Sequence, residues 1–205
     1  MRVIAGKYRG RNLKSPASLE VRPTSDRLRE TLFNVIAPRI EDARFLDLCA
    51  GSGAVGIEAL SRGAAHVTFV DRSRKMCSLI RSNLDLCRIE EEDTKVVHSE
   101  TQDYLRRAIG QTRAVGRPWD LVFFDPPYAI EYSPILEIFG SQASSLLSPG
   151  GLLIVEHHHK TALPEKLHGI RRTRVLKQGD SALSFYEVNA TAKQSLPDAG
   201  DGSAA

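Results

Sequence analysis

The sequence is short of cysteine, of aromatic side chains and of long apolar runs, and each shortage excludes a class of protein. Its three cysteines form neither a CxxC pair nor a disulfide framework, so we expect them to be reduced and structural. No apolar run approaches the roughly 20 residues that cross a bilayer, and the first residues lack the apolar core of a secretory signal. We therefore expect a cytoplasmic protein without a membrane segment.

The composition is that of a folded globular chain, but its charge is unevenly placed. Hydrophobic residues make up 41% and charged residues 26% of the 205 residues, a length that suits one domain with a buried core. The net charge of +3 is too small to indicate nucleic acid by itself. Residues 1–14, here called the basic arm, nevertheless hold five basic side chains and no acid: Arg2, Lys7, Arg9, Arg11 and Lys14. The arm is either a face that contacts nucleic-acid phosphates or a solvated surface with no partner.

Short apolar runs alternate with segments of helical periodicity. Four runs are too short for helices and apolar on both faces, which is typical of strands buried in a parallel sheet: residues 45–48, 67–70, 121–124 and 152–155. A further strand is expected at residues 95–98, and a closing hairpin near residues 172–177 and 183–188. The pattern predicts an α/β fold with a mostly parallel twisted sheet, helices on both faces and an antiparallel final strand.

The chain is expected to have three parts. Residues 1–40 form a basic extension and an accessory helix at about Asp26–Ile36, residues 41–189 form the α/β domain, and residues 190–205, which have almost no apolar bulk, form a disordered tail. Within the domain, Ser133 and Pro134 predict the N-cap and the first position of a helix whose periodicity continues to Leu146.

A glycine-rich loop follows the first strand of the predicted sheet. Gly51, Gly53 and Gly56 have the GxGxxG spacing, and Asp71 follows Gly51 by 20 residues at the end of the next strand, where its carboxylate can bind vicinal ribose hydroxyls. These features alone are compatible with NAD. Asp47, four residues before Gly51, would repel a pyrophosphate and suits the cationic groups of S-adenosylmethionine. The alternative for Asp47 is a carboxylate that caps the loop by accepting hydrogen bonds from backbone amides.

The segment Asp125-Pro126-Pro127-Tyr128 follows the fourth strand, at the same edge of the sheet. Consecutive prolines hold the backbone rigid and leave its carbonyls pointing outward. Asp125 and the carbonyl of Pro126 can together accept both hydrogens of an exocyclic NH₂ and direct its lone pair at a methyl group. Tyr128 offers a ring on which an extruded base can stack. The alternative is a rigid loop with an ordinary surface acid and tyrosine.

With these motifs the sequence resembles the class I methyltransferases that modify exocyclic amines, which share a Rossmann-like fold. More narrowly it resembles the RsmD-type bacterial 16S rRNA guanine-N2 methyltransferases. The most specific segments are the arginine-rich opening and the RPTxDRxRE run at residues 22–30, since relatives of many kinds share the glycine loop and DPPY. The low-complexity tail departs from the pattern.

The resemblance implies S-adenosylmethionine as the cofactor and 16S rRNA, or the assembling small ribosomal subunit, as the partner of a monomeric enzyme. Cofactor residues would be those of the loop and of the strand ends around it: Thr24, Asp47, Gly51, Gly53, Asp71, Glu100 and Thr101. Arg27 would help to close the site, Asp125, Pro126 and Tyr128 would hold the guanine amine, and the basic arm would bind RNA. Direct displacement needs no covalent intermediate.

Other interpretations stay open at this point. DPPY would serve adenine N6 in DNA equally well, although 205 residues leave little room for a DNA target-recognition domain. An NAD-dependent oxidoreductase and a catalytically silent RNA-binding module are further alternatives. No metal is expected, because His157, His158 and His159 are adjacent in a strand and would alternate between its faces. Glu156 either lines the base pocket or makes a structural hydrogen bond.

Overall fold

A computed structural model describes residues 1–16, 25–114, 117–127 and 131–189, the side chains of residues 112–114 excepted. The predicted tail at residues 190–205 lies outside these ranges, as do Thr24 and Tyr128. The predicted boundary between an extension at 1–40 and a domain at 41–189 stays a prediction.

The strands of the described ranges form one mixed sheet in the order β3-β2-β1-β4-β5-β8-β7-β6. Neighbours from β3 to β5 are parallel, whereas β8, β7 and β6 continue the sheet in antiparallel pairs. Their bounds are β1 Arg44–Leu48, β2 His66–Asp71, β3 Thr94–His98, β4 Trp119–Phe124, β5 Leu147–His158, β6 Lys166–Leu167, β7 Ile170–Gln178 and β8 Ser181–Val188. The predicted fold class is confirmed, and the antiparallel part holds three strands rather than one.

Helices cover both faces of the sheet. Their bounds are α1 Asp26–Ile36, α2 Ala54–Ser61, α3 Arg74–Cys87, α4 Thr101–Ala114, α5 Ser133–Ser141 and α6 Ala143–Leu146, with 3₁₀ turns at Ala37–Arg39 and Glu91–Asp93. Apolar residues of α1, α2 and α3 share one buried cluster with the basic arm, and those of α4, α5 and α6 form a second cluster on the opposite face. Among the described residues, no helix has the length and apolar character that a bilayer crossing requires.

The accessory helix begins where the sequence predicts. Ser25 is the N-cap, and its hydroxyl accepts a hydrogen bond from the Leu28 amide at 3.2 Å. The apolar side of α1, which includes Leu32 and Phe33, is fully buried against the sheet.

The helix predicted to run from Pro134 to Leu146 differs in two details. Ser133 is its first residue rather than its N-cap, a position that Tyr132 holds. The helix also stops at Ser141, because Gln142 leaves the helical conformation with φ −126° before α6 begins. Helical periodicity continues across this break and therefore does not reveal it.

The basic arm is fixed to the domain by a buried carboxylate of α2. Glu58 accepts hydrogen bonds from the backbone amides of Ile4 at 2.8 Å and Ala5 at 3.0 Å. It also pairs with Arg62 at 2.8 Å and faces the fully buried Arg29 of α1 at 3.8 Å. Desolvation in this interior lowers the pKa of Arg29. The arm is thus held as firmly as the helices on which it packs.

Candidate functional site

A large cavity lies at the carboxyl edge of the parallel strands. It has a volume of about 1090 Å³, enough for a nucleoside-sized ligand together with a base. Seven of the residues that the sequence assigns to cofactor or substrate line it: Asp47, Gly51, Asp71, Glu100, Thr101, Asp125 and Pro126. The carboxyl edge of a parallel sheet is where loops after successive strands converge, so the topology brings these residues together.

The glycine loop leaves open space in front of its backbone. Gly51 has φ +55°, and a Cβ at this position would meet no atom closer than the Cys49 carbonyl oxygen at 3.9 Å. Gly53 does not line the cavity. It precedes α2 with φ +78°, and a Cβ there would approach the Ile80 side chain to 3.2 Å. Gly56 lets α2 pack against β2, since its Cβ would lie 2.3 Å from the Phe69 ring.

Asp47 both lines the cavity and caps the loop. Its Oδ2 accepts a hydrogen bond from the Gly56 amide at 3.0 Å, so the loop-capping alternative is realised in the structure. Burial raises the pKa of Asp47 to about 7, and the negative charge of Asp71 adds to the rise, while the Gly56 hydrogen bond opposes it. Near neutral pH the carboxyl is poised between its two forms, and a cation in the cavity favours the ionised one.

Asp71 holds the loop in the same way. Its two carboxylate oxygens accept hydrogen bonds from the amides of Gly51 and Ser73, each at 2.8 Å. The residue is buried yet lines the cavity. Because each carboxylate oxygen has two lone pairs, these bonds leave acceptor capacity for a ligand hydroxyl.

The DPPY segment is described as far as Pro127. Asp125 follows β4, where its amide donates to the Leu48 carbonyl at 3.4 Å, next to the start of the glycine loop. Asp125 and Pro126 both line the cavity. Tyr128 lies outside the described residues.

Cys49 lies between the two motifs. Its Sγ is 3.4 Å from the Thr101 hydroxyl, and burial raises the pKa of its thiol to about 12. The thiol therefore stays protonated at neutral pH, which excludes it as a thiolate nucleophile.

Exposed and half-buried residues complete the rim. Glu100 and Thr101 line the cavity after β3, and Ser25 and Arg27 line it from the start of α1, whereas Thr24 lies outside the described residues.

The basic arm lies away from the cavity lining, on the face of the sheet that α1, α2 and α3 cover. Its exposed basic side chains are those of Arg2, Lys7, Arg9 and Lys14. Arg11 is half-buried, since its guanidinium donates to the Cys87 carbonyl at the end of α3 and lies 5.3 Å from the Tyr8 ring centre. Arg11 is thus partly committed to contacts within the chain.

The sequence did not place the β7–β8 turn at the site. Gln178, Gly179, Asp180 and Ser181 line the cavity, together with Glu156 and Tyr132. The predicted hairpin could have indicated this position of the turn. A strand antiparallel to β5 must begin where β5 ends, as the pairing of Ser181 with His158 shows.

The three adjacent histidines do not simply alternate. His157 is buried, with Nε2 2.9 Å from the Ser184 hydroxyl. The ring centres of His158 and His159 lie 4.6 Å apart, because β5 ends at His158 and the side chains no longer alternate between faces. The two histidines cluster with Asp180, a residue type that can also bind metals. One ring nitrogen of each of these two histidines and a carboxylate oxygen of Asp180 lie within 4.8 Å of one another. His158 Nδ1 also accepts a hydrogen bond from the Lys160 amide. The expectation of no metal stays a prediction.

The sheet order, the glycine loop and the acids at the strand ends are those of the class I methyltransferase fold, which solved methyltransferase structures share. Residues 1–187 match the family described as "Conserved hypothetical protein 95", and the chain belongs to that family. The family resemblance that the sequence indicates is thereby confirmed.

Individual relatives are methyltransferases by name. The chain is 35% identical over 187 residues to the "Putative rRNA methyltransferase YlbH" of Bacillus subtilis, and the match covers 91% of this chain and 98% of that protein. It is 43% identical over 128 residues to "Ribosomal RNA small subunit methyltransferase D" of Escherichia coli K12, covering 62% and 60% of the two chains. Among solved structures, the "Putative methyltransferase yhhF from Escherichia coli" superposes with a TM-score of 0.78 at 33% identity, covering 93% of this chain and 98% of that one.

Proposed function

We propose that this methyltransferase transfers a methyl group from S-adenosylmethionine to the exocyclic N2 amine of a guanine in 16S rRNA. The observation that carries the proposal is that Asp125 and Pro126 line the same cavity as the glycine loop and its two acids. The named function of the E. coli relative supports small-subunit rRNA as the substrate. The position on the base rests on the resemblance of the motifs.

The residues around the loop fit the charge and shape of the cofactor. Asp47 would attract its cationic methionine end, where the open space before Gly51 allows a close approach to the backbone. Asp71 would accept hydrogen bonds from the ribose hydroxyls with its remaining lone pairs. Glu100 and Thr101, after β3, would contact the adenine, and Arg27 at the start of α1 would approach the carboxylate. Gly53 would act through the backbone of the loop, and Thr24 is proposed on the resemblance alone.

The residues after β4 would hold the acceptor. The Asp125 carboxylate and the Pro126 carbonyl would accept the two N2 hydrogens, and Tyr128, by resemblance, would stack on the base. When bound, S-adenosylmethionine would supply the methyl group: the N–C bond would form as the S–C bond breaks, with the S–C electron pair left on sulfur. The proton lost by the nitrogen would pass to the Asp125 carboxylate or to water. The chain contributes positioning and a carboxylate beside the growing positive charge.

The first prediction tests the cofactor site. Asp71→Asn keeps the size of the side chain and one acceptor oxygen but removes the charge. We expect S-adenosylmethionine to bind about 10- to 100-fold more weakly, since hydrogen bonds to charged groups contribute about 1.5–3 kcal/mol each. Titration calorimetry measures the change. Asp85→Asn, an exposed site of α3 outside the cavity lining, is the matched control. Unchanged affinity in a folded Asp71→Asn protein would remove Asp71 from the cofactor site.

The second prediction tests the basic arm as an RNA contact. Each lost phosphate contact to single-stranded RNA lowers the slope of log affinity against log salt by about 0.7. Lys7→Ala/Arg9→Ala should therefore flatten the slope by up to roughly 1.4. Arg11→Ala should have a smaller effect, because its guanidinium is partly occupied by the Cys87 carbonyl. Cofactor affinity should stay unchanged.

A control pair for this experiment is Arg106→Ala/Arg107→Ala, which removes the same charge from α4 on the opposite face of the sheet. RNA binding is measured across a salt series for each protein. Equal slopes for the arm variant and the wild type would identify the arm as solvated surface only.

The proposed function itself is tested by mapping the product. Purified protein and S-adenosylmethionine are incubated with unmodified 16S rRNA, with small subunits from a strain lacking the gene, and with duplex DNA. Mass spectrometry of the nucleosides should detect N2-methylguanosine in one of the two incubations that contain 16S rRNA. N6-methyladenosine in DNA would instead support the alternative reading of DPPY, and binding of NADH without S-adenosylmethionine would support an oxidoreductase.

A further inference from the structure

A second carboxylate, Glu156, lies beside Asp125 at the carboxyl edge of the sheet. The strands β4 and β5 are parallel neighbours, and Phe124 pairs with Val155. Asp125 and Glu156 are the next residues on the two strands. Both residues line the cavity, and Glu156 is only 8% exposed. Glu156 is thus a buried carboxylate at the wall of the cavity, next in sequence to a strand pair that ends beside Asp125.

The β7–β8 turn holds Glu156 in place. The Ser181 hydroxyl, in that turn, donates to Glu156 Oε1 at 3.3 Å. Gln178, at the other end of the turn, accepts a hydrogen bond from the Thr31 hydroxyl of α1 at 3.0 Å. The carboxylate therefore has a fixed position, set by β5, by the turn and through the turn by the accessory helix.

Two carboxylates on neighbouring strand ends, lining one cavity, offer acceptors to one edge of a guanine. The N1–H of guanine is the donor next to the N2 amine, on the same Watson–Crick edge. If Asp125 accepts from N2, a carboxylate on the adjacent strand is available to accept from the neighbouring N1–H. At N1 adenine presents a lone pair, which a carboxylate repels.

We propose that Glu156 accepts a hydrogen bond from N1–H of the target guanine and so selects guanine over other purines. The inference rests on the proposed function, which it extends from the reacting amine to recognition of the base. Asp125 positions the amine, and Glu156 reads the neighbouring ring nitrogen.

The test uses an RNA in which the mapped target guanosine is replaced by 2-aminopurine through ligation. This analogue keeps the amine at C2 but has an acceptor at N1. The wild-type enzyme should methylate the guanosine RNA roughly 10- to 100-fold faster, as expected when a buried charged acceptor loses its donor. Glu156→Gln offers an N–H to the analogue, so it should lose most of this preference by slowing on guanosine and gaining on 2-aminopurine. Glu165→Gln, whose side chain is 87% exposed, is the control and should keep the wild-type ratio.

A second readout does not depend on turnover. Without cofactor, the affinities for the two RNAs and the fluorescence of 2-aminopurine on binding report whether the base enters the pocket. These measurements should show the same change of preference in Glu156→Gln. Equal loss on both RNAs, in rate and in affinity, would make Glu156 a structural residue and overturn the inference. A wild-type enzyme that methylates both RNAs equally would overturn it while leaving the proposed function intact. A wild-type enzyme that binds S-adenosylmethionine but methylates neither RNA would remove the proposed function and this inference with it.

Discussion

Asp125→Ala should lower the rate of methyl transfer by at least about 10²–10³-fold, the loss typical of removing one group that faces developing charge. The variant loses the carboxylate that would hold the amine and stabilise the positive charge on its nitrogen. Cofactor affinity should stay within about tenfold of the wild type, because the lost contact is with the methyl-accepting amine and not with the cofactor. Single-turnover methyl transfer and calorimetry measure the two quantities on the same protein.

Asp125→Asn separates this role from a merely structural one. It keeps an acceptor oxygen for one hydrogen of the amine but removes the charge. The Asn variant should therefore be clearly more active than the Ala variant. Near-normal turnover in Asp125→Ala would show that the segment after β4 is only a rigid loop.

Glu58→Ala is expected to have the largest effect on stability. Its removal leaves the fully buried Arg29 guanidinium with the half-exposed Asp26 carboxylate and the Arg2 carbonyl as its partners, without the buried counter-charge. The amides of Ile4 and Ala5 also lose their acceptor. Breaking a buried ion pair on one side costs about 3–5 kcal/mol. For a chain of this size the melting temperature should fall by roughly 6–20 °C.

Two comparisons identify the cause of that loss. Asp26→Ala removes the exposed carboxylate on the other side of Arg29 and should cost about 1 kcal/mol or less. Glu58→Leu/Arg29→Leu removes both buried charges and should recover part of the stability lost in Glu58→Ala. Thermal unfolding of the three variants at one pH decides the matter. If the double variant were the least stable, the Arg29–Glu58 interaction would not be the reason.

The sequence locates the parallel core of the fold closely because buried strands are apolar on both faces. The runs at 45–48 and 67–70 place β1 and β2 to within one residue at each end. It also brings Asp47, Asp71 and Asp125 to one edge, since parallel strands carry their C-terminal loops on the same side. Periodicity does not show that Asp47 and Asp71 bind backbone amides as well, because such bonds depend on the conformation of the loop.

Residues far apart in sequence were the hardest to place. Arg11 appears as a free basic residue until α3 is seen to end beside it. Ser181 and Gln178 belong to no motif. The antiparallel pairing of β5 and β8 brings Ser181 to Glu156, and the pairing of β7 and β8 places Gln178 at the cavity. A single sequence contains no local signal for such contacts, which arise from tertiary packing.

The anchoring of the basic arm by Glu58 has a geometric consequence. Residues 4 and 5 are hydrogen-bonded to α2, and α2 starts at the glycine loop, so the arm and the loop belong to one rigid unit. If the arm holds a phosphate, the span from that phosphate to the extruded base is constant. The protein would then select an RNA by the path of its backbone between that phosphate and the target nucleotide, as well as by the identity of the base.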